Sequence, residues 1–468
     1  MKIAFIHYHL KKGGVTTVLK QQVDAVKDEC EVLVLTGEIP RSPFPVHTIH
    51  IPGLGYSRPS QKSPDPKEVT ESIIKAIFSK WKDGCDVLHI HNPTLAKNKN
   101  FLIILKALQK RKIKLFLQIH DFAEDGRPLS YFSEEYVPNC HYGVINSRDY
   151  KILLKAGLKK EGLHQIFNTI KHFNFKQMDK TSKEYVLYPI RALRRKNIGE
   201  AILLSLFFKN KETLVITLPP NSPSDIKSYD AWKKFVKEKN LNVEFDAGLK
   251  NDFAELVLSS RFLITTSITE GFGFSYLEPW TAKKILWGRK LRDICLDFEK
   301  NGIQLDHLYT RLLVPTEWIE REKFYKKWKS CVLEICTMFN FKIDKEKIEK
   351  SFAKITKNDN IDFGLLDETF QKKIISRLLS HKRDAGKLIR LNPYLSYPGN
   401  IANKDELIQN NMRAVLNSYN KTLYREKLVS IYSRVMSKPV SHCINKNILL
   451  SAFLDLEQFS LLKWNATF

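Results

Sequence analysis

Two tandem blocks of alternating strand and helix patterns predict an α/β protein with doubly wound parallel sheets, followed by a mainly helical segment. Short apolar runs at Lys2–His7, Glu31–Thr36, Asp86–His91 and Lys114–His120 have the length and composition of buried strands. Between them lie stretches with apolar residues at helical spacing, such as 100–111. The alternation restarts at Glu184, after the polar, Lys-rich stretch 171–183, which reads as a linker. Strands alternating with helices imply parallel pairing with helical crossovers.

At 468 residues the chain exceeds one typical core. The expected division is 1–175, 184–316 and a helical extension 317–468, whose last helix could return to pack on the N-terminal domain. Hydrophobic content of 43% and charged content of 27% suit a folded soluble protein. No apolar run approaches the roughly 18–20 residues that span a bilayer, and Met1–His9 reads as a first strand rather than a signal peptide. Seven cysteines without CxxC spacing argue against disulfides and zinc, and for a cytoplasmic location. Asn420 and Asn465 begin Asn-x-Thr triplets and are taken as chance. The formal net charge of +25 admits nucleic acid, an anionic membrane surface or acidic small-molecule substrates, although no named nucleic-acid motif accompanies it.

The first strand runs into the loop Leu10–Thr17, where Gly13 and Gly14 precede a helix over 15–26 and leave its amides open to a ligand. The second strand is followed by a Pro/Gly-rich stretch, 40–66, expected to be mostly loop. The strand 114–120 delivers His120, Asp121, Glu124, Asp125 and Arg127 to a loop. Ligands in doubly wound sheets lie beyond the carboxyl ends of the strands, and His7, His9, His91, His120 and Asp121 all fall there. In the second block, Glu184–Ile190 leads to Arg191, Arg194, Arg195, Lys196 and Asn197, a basic turn before a helix over 198–208. The apolar run Arg261–Ser267 then leads to Glu270-Gly271-Phe272-Gly273-Phe274 and on to Glu278, with a helix expected from Ser275. Two carboxylates bracketing two glycines at a strand–helix junction can face one phosphorylated ligand. Beyond Trp280 the stretch 281–304 reads as charged and helical. Amphipathic helices follow over 317–390, 404–435 and 447–464.

Glu270 and Glu278, with seven residues between them, resemble the EX7E motif of retaining GT-B glycosyltransferases of the family-4 type. Gly13-Gly14, Ile119-His120-Asp121, Asn146-Ser147, Phe167-Asn168 and the pair Arg191 and Lys196 match the family pattern in order, over about residues 1–280. The resemblance implies two Rossmann-like domains facing a cleft, and hexosyl transfer from a nucleotide-diphosphate sugar without metal or other cofactor. It implies that Arg191 and Lys196 neutralise the diphosphate and that Glu270 contacts the transferred sugar. His120 would bond a donor-sugar hydroxyl and Glu278 the ribose. Gly13, Gly14 and the backbone of Gly271, Phe272, Gly273 and Phe274 would hold the donor. Retention would proceed by attack on the face the nucleotide leaves, with no committed protein nucleophile.

The sequence departs from that pattern after Glu278. The family's Gly-x-Pro turn is replaced by Pro279-Trp280 and Lys283-Lys284, with Gly288 as a substitute turn glycine and Trp280 at the pocket edge. Asp121, Glu124, Asp125 and Arg127 are not general to the family and are candidates to contact the acceptor or to fix the loop. The basic surface suits an anionic acceptor or peripheral contact with an anionic membrane. The alternative readings are another GT-B enzyme such as a sugar-nucleotide epimerase, a basic nucleic-acid- or membrane-binding protein, and a degenerate transferase kept as a binding subunit.

Overall fold

Strands buried on both faces must be apolar along their whole length, and the sheets here follow that rule. The computed structural model describes residues 1–40, 43–57, 64–173, 185–209, 212–396, 399 and 401–464. Most of the expected linker, and Asn465, lie outside these. The chain forms two units, Met1–Ile170 with Ser418–Leu454 and Lys171–Asn417 with Asp455–Phe468.

The first unit runs β1 (Lys2–His7), α1 (Gly14–Val26), β2 (Glu31–Thr36), β3 (Thr48–His50), α2 (Pro66–Lys80), β4 (Val87–His91), α3 (Phe101–Lys110), β5 (Leu115–Ile119), β6 (His141–Val144), α4 (Ser147–Lys155) and β7 (Leu163–Gln165). All its strands are parallel, in the order β3-β2-β1-β4-β5-β6-β7. The strand β3 lies in the stretch expected to be loop. It pairs with β2 through Thr48–His50, three residues too few to show a period of two.

The second unit runs β8 (Tyr185–Arg191), α5 (Ile198–Ser205), β9 (Thr213–Leu218), α6 (Pro223–Glu238), β10 (Val243–Glu244), α7 (Ala247–Lys250), α8 (Phe253–Leu258), β11 (Ser260–Thr265), α9 (Glu278–Thr281), β12 (Leu286–Gly288) and α10 (Arg292–Glu299). Its sheet is also parallel, ordered β10-β9-β8-β11-β12. The stretch 281–304 is therefore not one helix: its apolar run at Leu286–Gly288 pairs with β11 and extends the sheet. A two-stranded antiparallel ribbon, β13 (Leu313–Pro315) with β14 (Asn360–Asp362), accompanies α11 (Arg321–Met338), α12 (Lys345–Ile355), α13 (Glu368–Ser380), α14 (Lys382–Leu391) and α15 (Lys404–Ser418).

The helices expected as one extension, 317–468, are divided between the units. The segment 317–417 stays with the second unit, while α16 (Lys421–Ser437) and α17 (Lys446–Phe453) pack on the first. The reason is coverage. Ile3, Phe5, Val34, Val87 and Phe116 form one face of the first sheet, and α1 shares it with Leu428, Ile431, Tyr432 and Val435 of α16. The opposite face, with Ala4, Ile6, Leu88 and Ile90, is covered by α2, α3 and α4 together with Leu449 and Phe453 of α17. The last short helix, α18 (Leu461–Trp464), belongs to the second unit and not the first. No helix among the described residues is long and apolar enough to cross a membrane.

A buried ion cluster fixes the second unit behind its sheet. Arg289 donates to both carboxylate oxygens of Glu200 (2.9 and 2.6 Å) and to both of Asp362 (2.7 Å each), while the Tyr309 hydroxyl donates to Glu200 at 2.7 Å. Removing one member of such a cluster strands the others without compensation. Arg289→Ala is expected to lower unfolding stability by about 3–5 kcal/mol, read as a lower urea midpoint for the second unit. A shift below about 1 kcal/mol would mean that solvent already screens the cluster.

Candidate functional site

Strand order reverses between β8 and β11, so the loops after these strands leave toward opposite sides and open a crevice at their carboxyl ends. The β8 loop reaches it through a break in pairing. Pro189 has no N–H to give the ladder, and the register with β9 shifts between Tyr188 and Arg191. Arg191 Nη1 then donates to the Pro219 carbonyl at 2.9 Å. A 3₁₀ turn, Arg194–Lys196, follows, with Asn197 at φ 53° before α5. Arg194 is a structural residue, bidentate to Glu368 (2.7 and 2.9 Å).

Tyr188, fully buried, ties this turn to the loop after β11. Its hydroxyl donates to the Lys196 carbonyl at 2.6 Å and accepts from the Thr266 N–H at 3.1 Å. Thr266 Oγ1 donates to the Asn197 carbonyl (2.9 Å), and the Ile268 N–H to the Arg195 carbonyl (3.0 Å). Held this way, Lys196 Nζ pairs with Glu270 Oε1, and Arg195 Nη1 lies 3.9 Å from Glu270 Oε2. Burial alone would raise the Glu270 pKa, but Lys196 and Arg195 outweigh it and hold the carboxyl below its ordinary value. The structure thus pairs Lys196 with Glu270, adds Arg195, and leaves Arg191 at the neighbouring strand edge.

The glycine loop is built by sterics. Gly273 has φ 94°, and a Cβ there would lie 2.9 Å from the Tyr276 ring and 3.2 Å from Ile294. Phe272 is buried against Phe274 and Phe298, at centroid distances of 5.1 and 5.7 Å, whereas Gly271 and Phe274 are partly exposed. The expected helix from Ser275 is a 3₁₀ turn, Phe274–Tyr276, and α9 is only four residues long. Leu277 (φ −116°) interrupts the helix at one end and Lys283 (φ 53°) closes it at the other. Glu278 therefore sits at the first residue of α9 rather than a turn inside a helix, and so short a helix offers no useful dipole for an anion. Its carboxylate accepts no hydrogen bond from the described residues. Burial raises its pKa to about 7, against the pull of Lys196.

Two expectations about the far side of this loop change. Trp280 is fully buried with its Nε1–H on the Tyr276 carbonyl (2.8 Å), so it is core rather than pocket edge. Gly288 does not make the turn. It ends β12, where a Cβ would lie 2.1 Å from the Thr265 carbonyl oxygen, and Lys283 makes the turn instead.

In the first unit the strand order reverses between β1 and β4, and His7 and His91 end those strands. Asn92, at φ 53°, accepts from the His120 and Asp121 N–H groups (2.8 and 3.1 Å) and fixes the loop after β5. Sequence reasoning missed Asn92; its place directly after a strand-ending His was the available signal. His120 Nε2 meets His91 Nδ1 at 2.8 Å with the rings stacked. Burial lowers His120 to about 4 and His7 to about 3, and drives His91 well below its ordinary value. These rings are neutral near pH 7 and act as hydrogen-bonding groups, not cations.

The four candidate acceptor residues divide. Glu124 is fully buried and accepts from the Tyr136 hydroxyl at 2.8 Å, so it faces no acceptor. Asp125 pairs with Arg148 (3.3 Å), which also binds Asp149 (2.9 Å), and these contacts fasten the loop to α4. Asp121 and Arg127 pair at 2.6 Å and remain partly exposed. Gly13 and Gly14 are exposed at the start of α1, and a Cβ on Gly14 would meet nothing within 4 Å. Packing inside the chain does not demand a glycine there.

Comparison with known proteins adds the architecture. No protein-family model matches the chain. Mannosylglucosyl-3-phosphoglycerate synthase of Petrotoga mobilis is 29% identical over 412 residues, spanning 78% of this chain and 79% of that protein. Sucrose-phosphate synthase from Thermosynechococcus elongatus superposes with a TM-score of 0.55 at 14% identity, over 93% of this chain and 99% of that one. Anabaena HepE in complex with UDP and glucose gives a TM-score of 0.53 at 12% identity, over 92% and 99%. The chain has the GT-B fold of glycosyltransferases. Its two parallel sheets are the Rossmann-like domains of that fold, with a helical C-terminal part.

The raised pKa of Glu278 gives a pH signature. Unfolded, this carboxyl titrates near its ordinary 4.5; folded, it holds its proton to about 7. Between those values the native state binds the proton that the unfolded chain releases, so native stability falls as pH rises through the window. Glu278→Gln cannot ionise. Its melting temperature relative to the unsubstituted protein is expected to climb from pH 4.5 to 7 and level off above, and a flat difference would mean an unperturbed carboxyl.

Proposed function

We propose that the chain is a retaining hexosyltransferase that moves a sugar from a nucleotide-diphosphate sugar to an acceptor hydroxyl. The observation that carries this reading is the crevice between β8 and β11, where Lys196 and Arg195 hold Glu270 ionised and the Glu278 carboxyl has no hydrogen-bond partner among the described residues. Arg195 and Lys196 on the turn and Arg191 at the end of β8 supply three cations near the crevice, and Glu270 is the carboxylate that Arg195 and Lys196 face. A diphosphate entering there gains charge-assisted bonds that strengthen as its leaving-group charge grows, so neutralisation falls to side chains and asks for no metal. Glu270, held ionised, accepts from hydroxyls of the transferred sugar, and Glu278 accepts from the ribose.

On the first unit, neutral His120 is assigned to a donor-sugar hydroxyl, and the open amides at Gly13 and Gly14 to the donor phosphates. Glu270 in its ion pair is a weak nucleophile, which supports retention by attack on the face the nucleotide leaves. The UDP and glucose bound to Anabaena HepE support a nucleotide-sugar donor. The Petrotoga relative, by its name, makes a glycosylated phosphoglycerate, which supports sugar transfer.

Differential scanning fluorimetry against UDP-, GDP- and ADP-sugars tests the donor. One base class is expected to raise the melting temperature by linkage. Glu278→Ala should weaken that donor about tenfold, the equivalent of one good hydrogen bond to a charged group. Arg191→Ala should lower kcat more than it weakens donor binding. The reading fails if no nucleotide sugar stabilises the protein, or if both variants retain full donor binding and turnover.

A further inference from the structure

The loops after β3, β4 and β5 meet beyond the carboxyl ends of the first sheet's strands and bring together Tyr56, Lys97 and Arg127. The strap carrying Tyr56 is fixed to the Lys97 loop by backbone and amide bonds. The Ser57 N–H donates to the Lys97 carbonyl (2.8 Å), and Asn98 Nδ2 donates to the Gly53 and Gly55 carbonyls (2.7 and 2.8 Å). Lys97 Nζ lies 6.0 Å from the ring centroid of Tyr56, a residue that is 41% exposed, with His9 edge-on to the ring at 5.1 Å. Lys97 is partly buried, yet its ammonium forms no hydrogen bond or ion pair with any described residue.

Burial and the neighbouring Arg127 both lower the Lys97 pKa, and Asp121 opposes them. The carboxylate acting on this pair of cations, Asp121, is already bound by Arg127 at 2.6 Å. Two cations against one carboxylate leave an excess positive charge on a partly desolvated group, which an anion would offset. Asp121 directly follows His120.

We propose that Lys97 and Arg127, walled by Tyr56, form an anion subsite that holds a phosphate or carboxylate of a small-molecule acceptor. This rests on the transferase reading for the word acceptor, while the anion site itself stands on the first unit alone. The ammonium of Lys97 binds the anion directly. Arg127, kept in place by Asp121 and by the Phe122 carbonyl (3.2 Å), presents the second positive charge.

Calorimetric titration of the full chain with 3-phosphoglycerate, inorganic phosphate, glycerate and glycerol tests this, in the presence and absence of each nucleoside diphosphate. The acids are expected to bind and glycerol not, and the stronger of phosphate and glycerate identifies the group held. Lys97→Gln and Arg127→Gln should each weaken 3-phosphoglycerate about tenfold, as expected for one charge-assisted bond, and Lys97→Arg should restore most of it. Stabilisation by the nucleotide sugar should persist in all three variants, which separates a failure here from a failure of the donor reading. Three outcomes overturn the proposal: unchanged acid binding in the Gln variants, displacement of the acid by a nucleoside diphosphate, and absence of binding by every acid. A loss of binding to phosphatidylglycerol vesicles in these variants, without any response to the soluble acids, would give the site to a lipid surface and also overturn it.

Discussion

Everything at the candidate donor site depends on one topological constraint, the reversal of strand order between β8 and β11. Parallel strands that send their crossovers to opposite sides cannot cover the gap between their carboxyl ends. Here the gap is flanked by a turn with three consecutive cations and by a loop with two carboxylates. Tyr188 converts that proximity into fixed geometry, because its hydroxyl bonds both backbones at once, to the Lys196 carbonyl and from the Thr266 N–H. Together with the bonds from Thr266 Oγ1 to the Asn197 carbonyl and from the Ile268 N–H to the Arg195 carbonyl, that bridge joins the two loops; between independent loops the Lys196–Glu270 pair would gain little over solvent.

The two carboxylates of that loop end in opposite states for a physical reason. Both are withdrawn from water, which favours the protonated form. Glu270 has Lys196 and Arg195 against it and stays ionised; Glu278 feels Lys196 but has no hydrogen-bond donor among the described residues, and burial prevails. A ligand that brought hydroxyl donors to Glu278 would tip it toward the charged form. On the first unit the histidines follow the same logic in the opposite sense: burial keeps His7, His91 and His120 neutral, at His120 against the pull of Asp121.

Much of this was legible in the sequence, because the features that set it are local. Buried parallel strands are continuous apolar runs, and the residues at their carboxyl ends are site candidates by topology alone. Glu270, Lys196 and His120 could be picked out on that basis. What was not legible depended on contacts and backbone angles that residue type and spacing do not reveal. Trp280 looks like a pocket wall until Tyr276 accepts its indole N–H, and Glu124 looks available until Tyr136 covers it. The split of the C-terminal helices was hidden because an amphipathic stripe shows that a helix has a buried face but not which sheet it covers. The short α9 was hidden because the helix-ending residue, Lys283, adopts a left-handed φ that lysine rarely takes.

The formal charge of +25 is a weaker guide to partners than the placement of a few cations. Arg194 and Arg289 are committed to buried carboxylates and hold the second unit together. On the helical segment, Lys323, Lys329 and Lys354 pair with exposed glutamates and are ordinary surface charge. Lys446, whose pKa burial lowers to about 8, sits over the rings of Tyr131 and Tyr136 and gives its donors to the Phe132 and Glu134 carbonyls, so it is a clamp between α17 and the loop after β5. Lys97 differs from all of these. It is drawn partly out of water, beside a second cation, with a ring wall and no hydrogen-bond or ion-pair partner among the described residues. A charge in that position raises the energy of the empty site and lowers it when an anion arrives, which is how a binding site, rather than a solubilising surface, uses a lysine.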